Sequence, residues 1–212
     1  MKNSSGEILI HPSFSAGELA DNLLNNKLNS RVRINASFRE PISEIFSVNY
    51  REILKNYKIE ERGYESVKLS TDTLNEIREK VKCSYNCDLG KILHELLGYE
   101  NRTPIYERFY LYKDKMYVIR GAPDRVYRNG DGKITVEEFK TYRGENGRYH
   151  QLLRGVFQLG VYGYLCETEN GKLVLLDVPN GRLEIFDYSY PFTSQEKLLR
   201  DTIDTSIKNS NK

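Results

Sequence analysis

No apolar run in this chain approaches the roughly 20 residues that a membrane-spanning helix needs, and its opening, MKNSSGEILIHPSF, lacks the hydrophobic stretch of a secretory signal. A cytoplasmic protein without a membrane partner is expected. Cysteine is scarce: Cys83, Cys87 and Cys166 are an odd number without an export signal, which argues against a disulfide framework. Cys83 and Cys87 have the spacing of one helical turn and would suit a soft metal, yet an iron–sulfur cluster usually takes four sulfurs and only three exist. No cluster is expected, and buried or idle thiols are the simpler account. Net charge is almost absent as well: 32 Lys and Arg against 30 Asp and Glu leave +2, too little to name a nucleic-acid partner on its own. Internal repeats and low-complexity linkers are missing too.

What remains is a globular composition. With 39% hydrophobic and 29% charged residues over 212 positions the chain can bury a real core, and one domain spanning 1–212 is expected. Ser15 and Glu18 stand in capping-box relation ahead of Leu19, Leu23 and Leu24, which predicts a helix. ISEIFSVNYREILKNY suggests another, so residues 1–70 are expected to form a helical region of unassigned role. Thr73 and Glu76 repeat the capping-box spacing before Leu74, Ile77 and Val81; DLGKILHELLG then starts at a good N-cap, Asp88, and stops at Gly98.

After Gly98 the period changes. IYERFYLY, KMYVIRGAPDRVY, KITVEEFKTY, KLVLLDV and RLEIFDYS read as strands, and GRYHQLLRGVFQLGVYGYLC separates the third from the fourth with helical spacing. SQEKLLRDTIDTSIK ends the chain as a polar helix. The order predicts a mixed α/β fold with its core at 71–190 and a C-terminal helix at 191–212.

Asn129, Asp131 and Glu138 fall on the spacing of an EF-hand calcium loop. Such a loop needs an oxygen ligand at its first position and a helix on either side, whereas here the first position is Tyr127 and MYVIRGAPDRVY reads as strand. NGDG is the chemistry of a tight hairpin turn. In a hairpin with a three-residue loop, Gly130–Gly132, the alternation puts Asp124 opposite Glu138 on a largely apolar face, with Lys140 two residues beyond. Two carboxylates on a partly buried face repel and lose hydration, and a magnesium or manganese ion would relieve both penalties. A salt-bridge cluster of Asp124, Lys140 and Glu138 accounts for the same three residues without an ion.

GAPD followed by EFK resembles the PD-(D/E)XK nuclease motif, with Asp124, Glu138 and Lys140 at the matching positions. Two further elements stand in the order of the RecB-like branch of that superfamily: GKILH, ending at His94, is similar to its G-x-x-x-H element, and QLGVY, Gln158 to Tyr162, to its Q-x-x-x-Y element. The resemblance covers about residues 88–165 and implies a restriction-endonuclease-like fold with a mixed central sheet flanked by helices. It also implies a metal-dependent nuclease that hydrolyses phosphodiester bonds, with Mg or Mn as cofactor and single-stranded DNA or DNA ends as partner. By the same resemblance His94, Asp124 and Glu138 hold the metal, Lys140 assists the attacking water, and Gln158 and Tyr162 support the site and the strand.

The nearest relatives implied are the exonucleases associated with CRISPR systems, including stand-alone or virus-encoded versions, from whose usual four cysteines this chain departs. On the helix after the strands, Gln151, Arg154, Gln158 and Tyr162 form a polar stripe that either faces phosphates or faces solvent. Arg143, Arg148 and His150 are further candidate phosphate contacts. Two other readings stay open: a nuclease-fold protein that binds DNA without cutting it, and a calcium-binding module around Asp131. Oligomeric state and DNA-versus-RNA preference leave no mark in the sequence.

Overall fold

Residues 12–35, 42–82, 89–99 and 103–210 are described in the computed structural model of the chain. A short strand β1 (Ser13–Ser15) runs into helix α1 (Ala16–Asn35), whose first turn is capped as expected: Ser15 Oγ accepts the Glu18 N–H at 3.1 Å. Helix α2 (Ile42–Tyr57) follows, and then a strand the sequence did not announce, β2 (Glu60–Lys68). Helix α3 (Thr71–Lys82) begins before the predicted cap, because Ser70 Oγ, not Thr73, accepts the orphan N–H, that of Thr73 itself, at 3.1 Å. Helix α4 (Leu89–Leu96) ends as predicted at Gly98, which takes φ +75°; Cys83, Cys87 and Asp88 lie outside the described residues.

The stretch expected as one strand from Lys115 to Tyr127 is two. Strand β3 (Tyr106–Tyr112) pairs with β4 (Lys115–Gly121), but the chain then bends through Ala122–Asp124 and starts β5 (Arg125–Arg128) in a different sheet. Pro123 has no N–H to give a ladder, and the bend falls on it. Met116 and Val118 of β4 therefore share no sheet with Val126 of β5, a correction to the single strand expected there. Strands β6 (Ile134–Tyr142), β7 (Asn170–Asp177) and β8 (Arg182–Ser189) complete the set, with helix α5 (Gly144–Cys166) between β6 and β7 and helix α6 (Phe192–Ser210) at the end.

Among the described residues the strands form a small sheet, β1-β4-β3, and a larger one, β2-β8-β7-β6-β5. The larger sheet is mixed: β6 and β7 are parallel, and the other neighbours are antiparallel. Parallel neighbours need a crossover, which α5 provides. Val136, Leu173 and Leu175 face the main core with Leu152, Val156 and Leu159 of α5, while Phe139, Val174 and Leu176 face a second core with Ile77 of α3 and Leu93 of α4. The helix lies so close to the sheet that a Cβ on Gly155 would fall 2.4 Å from Leu173 Cδ1 and 3.2 Å from its Cγ. Gly155→Ala is thus expected to destabilise the protein by about 1–3 kcal/mol despite alanine's helix propensity, read as a lower urea midpoint at unchanged slope. No helix among the described residues is long and apolar enough to cross a membrane.

Candidate active site

The hairpin sets the centre. Asn129 N–H donates to the Lys133 carbonyl at 2.8 Å, leaving the three-residue loop Gly130–Gly132 with Gly132 at φ +74°. Asn129 Oδ1 accepts the Asp131 and Lys133 N–H groups at 3.1 and 2.9 Å, so NGDG is a side-chain-locked turn between two strands and not a loop between two helices. The register pairs Arg125 with Glu137, which sets Asp124 one step further on, facing Glu138. Asp124 Oδ2 accepts the Phe139 N–H at 2.7 Å and so occupies the edge of β6 just before β5 begins.

Glu138 and Lys140 point to the α5 side of the sheet, only 3% and 12% exposed, and form an ion pair through Oε1. The second oxygen, Glu138 Oε2, is buried and has no hydrogen-bond partner. Burial pushes the Glu138 carboxyl up to about 7; Lys140 opposes that shift and the Asp124 charge adds to it. Burial raises Asp124 as well, against the pull of Lys140, the Phe139 N–H and a hydrogen bond from Glu138 when that carboxyl holds its proton.

His94 arrives from the opposite face. Its ring stands edge-on to Phe139, with centroids 5.0 Å apart, and Nδ1 lies 3.6 Å from Asp124 Oδ1, too far for a hydrogen bond. Burial lowers the His94 pKa, which favours a neutral imidazole with a free lone pair at neutral pH. α4 is anchored in this position by Arg125, which bonds the Gly98 carbonyl at 3.0 Å, pairs with Glu137 at 3.3 Å and stacks over the Tyr99 ring at 4.5 Å. Sequence reasoning did not single out Arg125 or Tyr99, and only their position beside Gly98 and Asp124 hinted at a role.

From α5, Gln158 and Tyr162 are 4% and 5% exposed, so that end of the polar stripe is not a solvent face. Gln158 Nε2 donates to Tyr162 OH at 3.3 Å, and Gln158 Oε1 is buried without a partner. The Tyr162 hydroxyl is raised well above its ordinary pKa by burial, with Glu138 and Asp124 adding to the shift, so it remains a neutral phenol. Its ring comes so near Gly121 that a Cβ there would sit 2.7 Å from Cε1. Arg154 lies one turn before Gln158, paired with Asp21 of α1 at 2.5 and 3.1 Å.

The remaining candidates lie elsewhere. Arg148 is held by Glu184 in a two-pronged pair at 2.7 and 2.8 Å, which neutralises its charge. Arg143 is exposed at the N-cap position of α5. Cys166 is buried and free, and burial pushes its thiol up to about 12, which leaves it unreactive.

Among the described residues no three His, Cys, Asp or Glu side chains converge closely enough to hold a metal ion as they stand. The chemistry of the donor set nevertheless fits a hard divalent cation. It comprises one buried carboxylate oxygen without a partner, a second carboxylate, and an imidazole nitrogen 3.6 Å from that carboxylate.

A family model of the PD-(D/E)XK nuclease superfamily matches residues 57–208, a span that contains His94, Asp124, Glu138, Lys140, Gln158 and Tyr162. The chain belongs to that superfamily. Its mixed sheet flanked by helices is the restriction-endonuclease-like architecture of the PD-(D/E)XK nucleases. The CRISPR-associated exonuclease Cas4 of Saccharolobus solfataricus is 34% identical over 91 residues, which is 42% of this chain and 43% of that protein, so the match spans less than half of the relative. Among solved structures, the crystal structure of SSO0001 overlays at TM-score 0.43 and 18% identity over 95% of this chain and 78% of that one. Scheffersomyces stipitis Rai1 in complex with (3'-NADP)+ and calcium ion overlays at 0.36 and 11%, over 97% and 63%. Overlaps this loose leave the assignment with the family match.

Proposed function

We propose that the chain is a metal-dependent deoxyribonuclease that hydrolyses phosphodiester bonds in single-stranded DNA or at DNA ends, with residues 71–190 as its catalytic core. The observation that carries this reading is Glu138 Oε2, a buried carboxylate oxygen with no partner beside Asp124 and His94. Asp124, Glu138 and His94 would hold a magnesium or manganese ion. By the family resemblance the Phe139 carbonyl would join them, and in a strand it shares an edge with the N–H that Asp124 accepts. Such an ion lowers the pKa of water and stabilises the charge that builds on the phosphate.

Lys140 is the group paired with Glu138 at the centre. Its side chain would orient the attacking water or meet the developing negative charge on the phosphate oxygens. Tyr162 and Gln158 close the α5 side and keep bulk water from the reacting bond.

Incubating the purified protein with labelled single- and double-stranded DNA in magnesium, manganese, calcium or EDTA tests the proposal. Fragments should appear with magnesium or manganese and disappear with EDTA, with the single strand or strand ends cut first. Binding in magnesium and manganese without any fragments would overturn the catalytic reading in favour of a silent DNA-binding protein.

A further inference from the structure

Helix α1 reaches the site from a part of the chain whose sequence assigned it no role. Gly17 and Asp21 stand one turn apart on α1 and face Arg154 and Gln158, one turn apart on α5. A Cβ on Gly17 would lie 3.7 Å from Gln158 Nε2 and 3.8 Å from Arg154 Nη2. Asp21 Oδ1 and Oδ2 accept from Arg154 Nε and Nη2 at 2.5 and 3.1 Å, so they take one edge of a planar five-donor fork.

We propose that Asp21 is a positioning residue of the nuclease site, holding Arg154 so that the outer, Nη1 edge of its guanidinium binds a phosphate of the DNA strand beside the bond being cut. This rests on the nuclease reading above. The side chains of Arg154 and Asp21 are 27% and 43% exposed, and a pair so open to water adds little to stability. What it does is fix a long, flexible side chain in one orientation. Arg154 stands at the rim of the centre, one turn before Gln158 on α5 and against the same Gly17, while Glu138 already has Lys140 as its ion-pair partner. Asp21 shares the guanidinium's charge through one edge only and leaves the Nη1 edge open, whose fork matches the two oxygens of a phosphate.

A double-mutant cycle tests this with wild type, Asp21→Asn, Arg154→Ala and the double variant. Binding of a fluorescent single strand is measured in calcium across a salt series, and cleavage kinetics in manganese. Arg154→Ala should weaken binding about tenfold and flatten the log–log salt dependence by about 0.7, the loss of one phosphate contact on a single strand. Asp21→Asn keeps the cation, so the salt slope should hold while kcat falls about tenfold through misalignment. In the Arg154→Ala background Asp21→Asn should change nothing further. Additive effects, or tighter binding by Asp21→Asn as expected of a mere competitor for Arg154, would overturn the proposal while wild-type cleavage keeps the nuclease reading. A wild-type protein that neither binds nor cuts DNA would overturn both.

Discussion

Asp124→Ala, Glu138→Ala and Lys140→Ala should each leave a folded protein that cuts labelled DNA at least about 10³-fold more slowly than wild type in manganese. The three losses have different causes. Without Asp124 the cation loses one ligand, and the Phe139 N–H at the edge of β6 loses its acceptor, which costs roughly 1 kcal/mol of stability in addition. Without Glu138 a buried oxygen of the set is gone, and Lys140 keeps Asp124 as a nearby counter-charge. Without Lys140 the ligands are intact, so the variant should still bind manganese, and Glu138, freed of its ion pair, should take up a proton more readily in metal-free protein. Metal binding by Lys140→Ala, followed by calorimetry, therefore separates the lysine's role from that of the carboxylates. Wild-type cleavage in any one variant would remove that residue from the centre, and wild-type cleavage in all three would remove the centre.

The parts of this site that the sequence disclosed are those governed by short-range rules. A tight turn at NGDG and a two-residue alternation were enough to oppose Asp124 and Glu138, because hairpin register depends only on loop length and pleat. The joint at Ala122–Asp124 was less legible. Lys115 to Tyr127 alternates plausibly as one strand, and only the partner choice of β4 and β5, a long-range matter, splits it between two sheets. β2 escaped notice because EERGYESVK carries almost no apolar residues and lies mostly exposed; it exists through its ladder to β8, not through a hydrophobic face of its own. Spacing alone also left the α5 stripe ambiguous, since a helix buried nearly all round hides its polar face as well as its apolar one. Arg148 shows the converse: a basic residue near the site in sequence pairs with Glu184, 36 positions away, which no local spacing announces. Asp21 could not have been found at all from a motif that begins near residue 88.

In EDTA the protein should lose stability as pH rises from about 5 to 7.5, an unusual direction for a carboxylate. The sign follows from Glu138, whose pKa rises from 4.5 when unfolded to about 7 in the folded state. Between those values the folded chain retains a proton that the unfolded chain has released. Stability from this source is therefore complete below pH 4.5 and is lost as pH climbs through 7, on the order of 3 kcal/mol in all. Asp124, raised by burial, acts in the same sense at the acid end of the window. His94, lowered by burial, opposes both, but only below pH 6.5, where the unfolded imidazole takes up its proton first. The clearest measurement is thus the urea midpoint between pH 6 and 7.5, for wild type and for Glu138→Gln, whose amide cannot ionise and whose profile should be nearly flat there. Manganese should reverse the trend in wild type, because a cation takes the place of the Glu138 proton and binds best when that proton is gone. Its stabilising effect should then be larger at pH 7.5 than at pH 6 and much reduced in Glu138→Gln. A wild-type profile that is flat in EDTA, or a manganese effect that Glu138→Gln leaves unchanged, would mean that the buried oxygen of Glu138 is not where the cation binds.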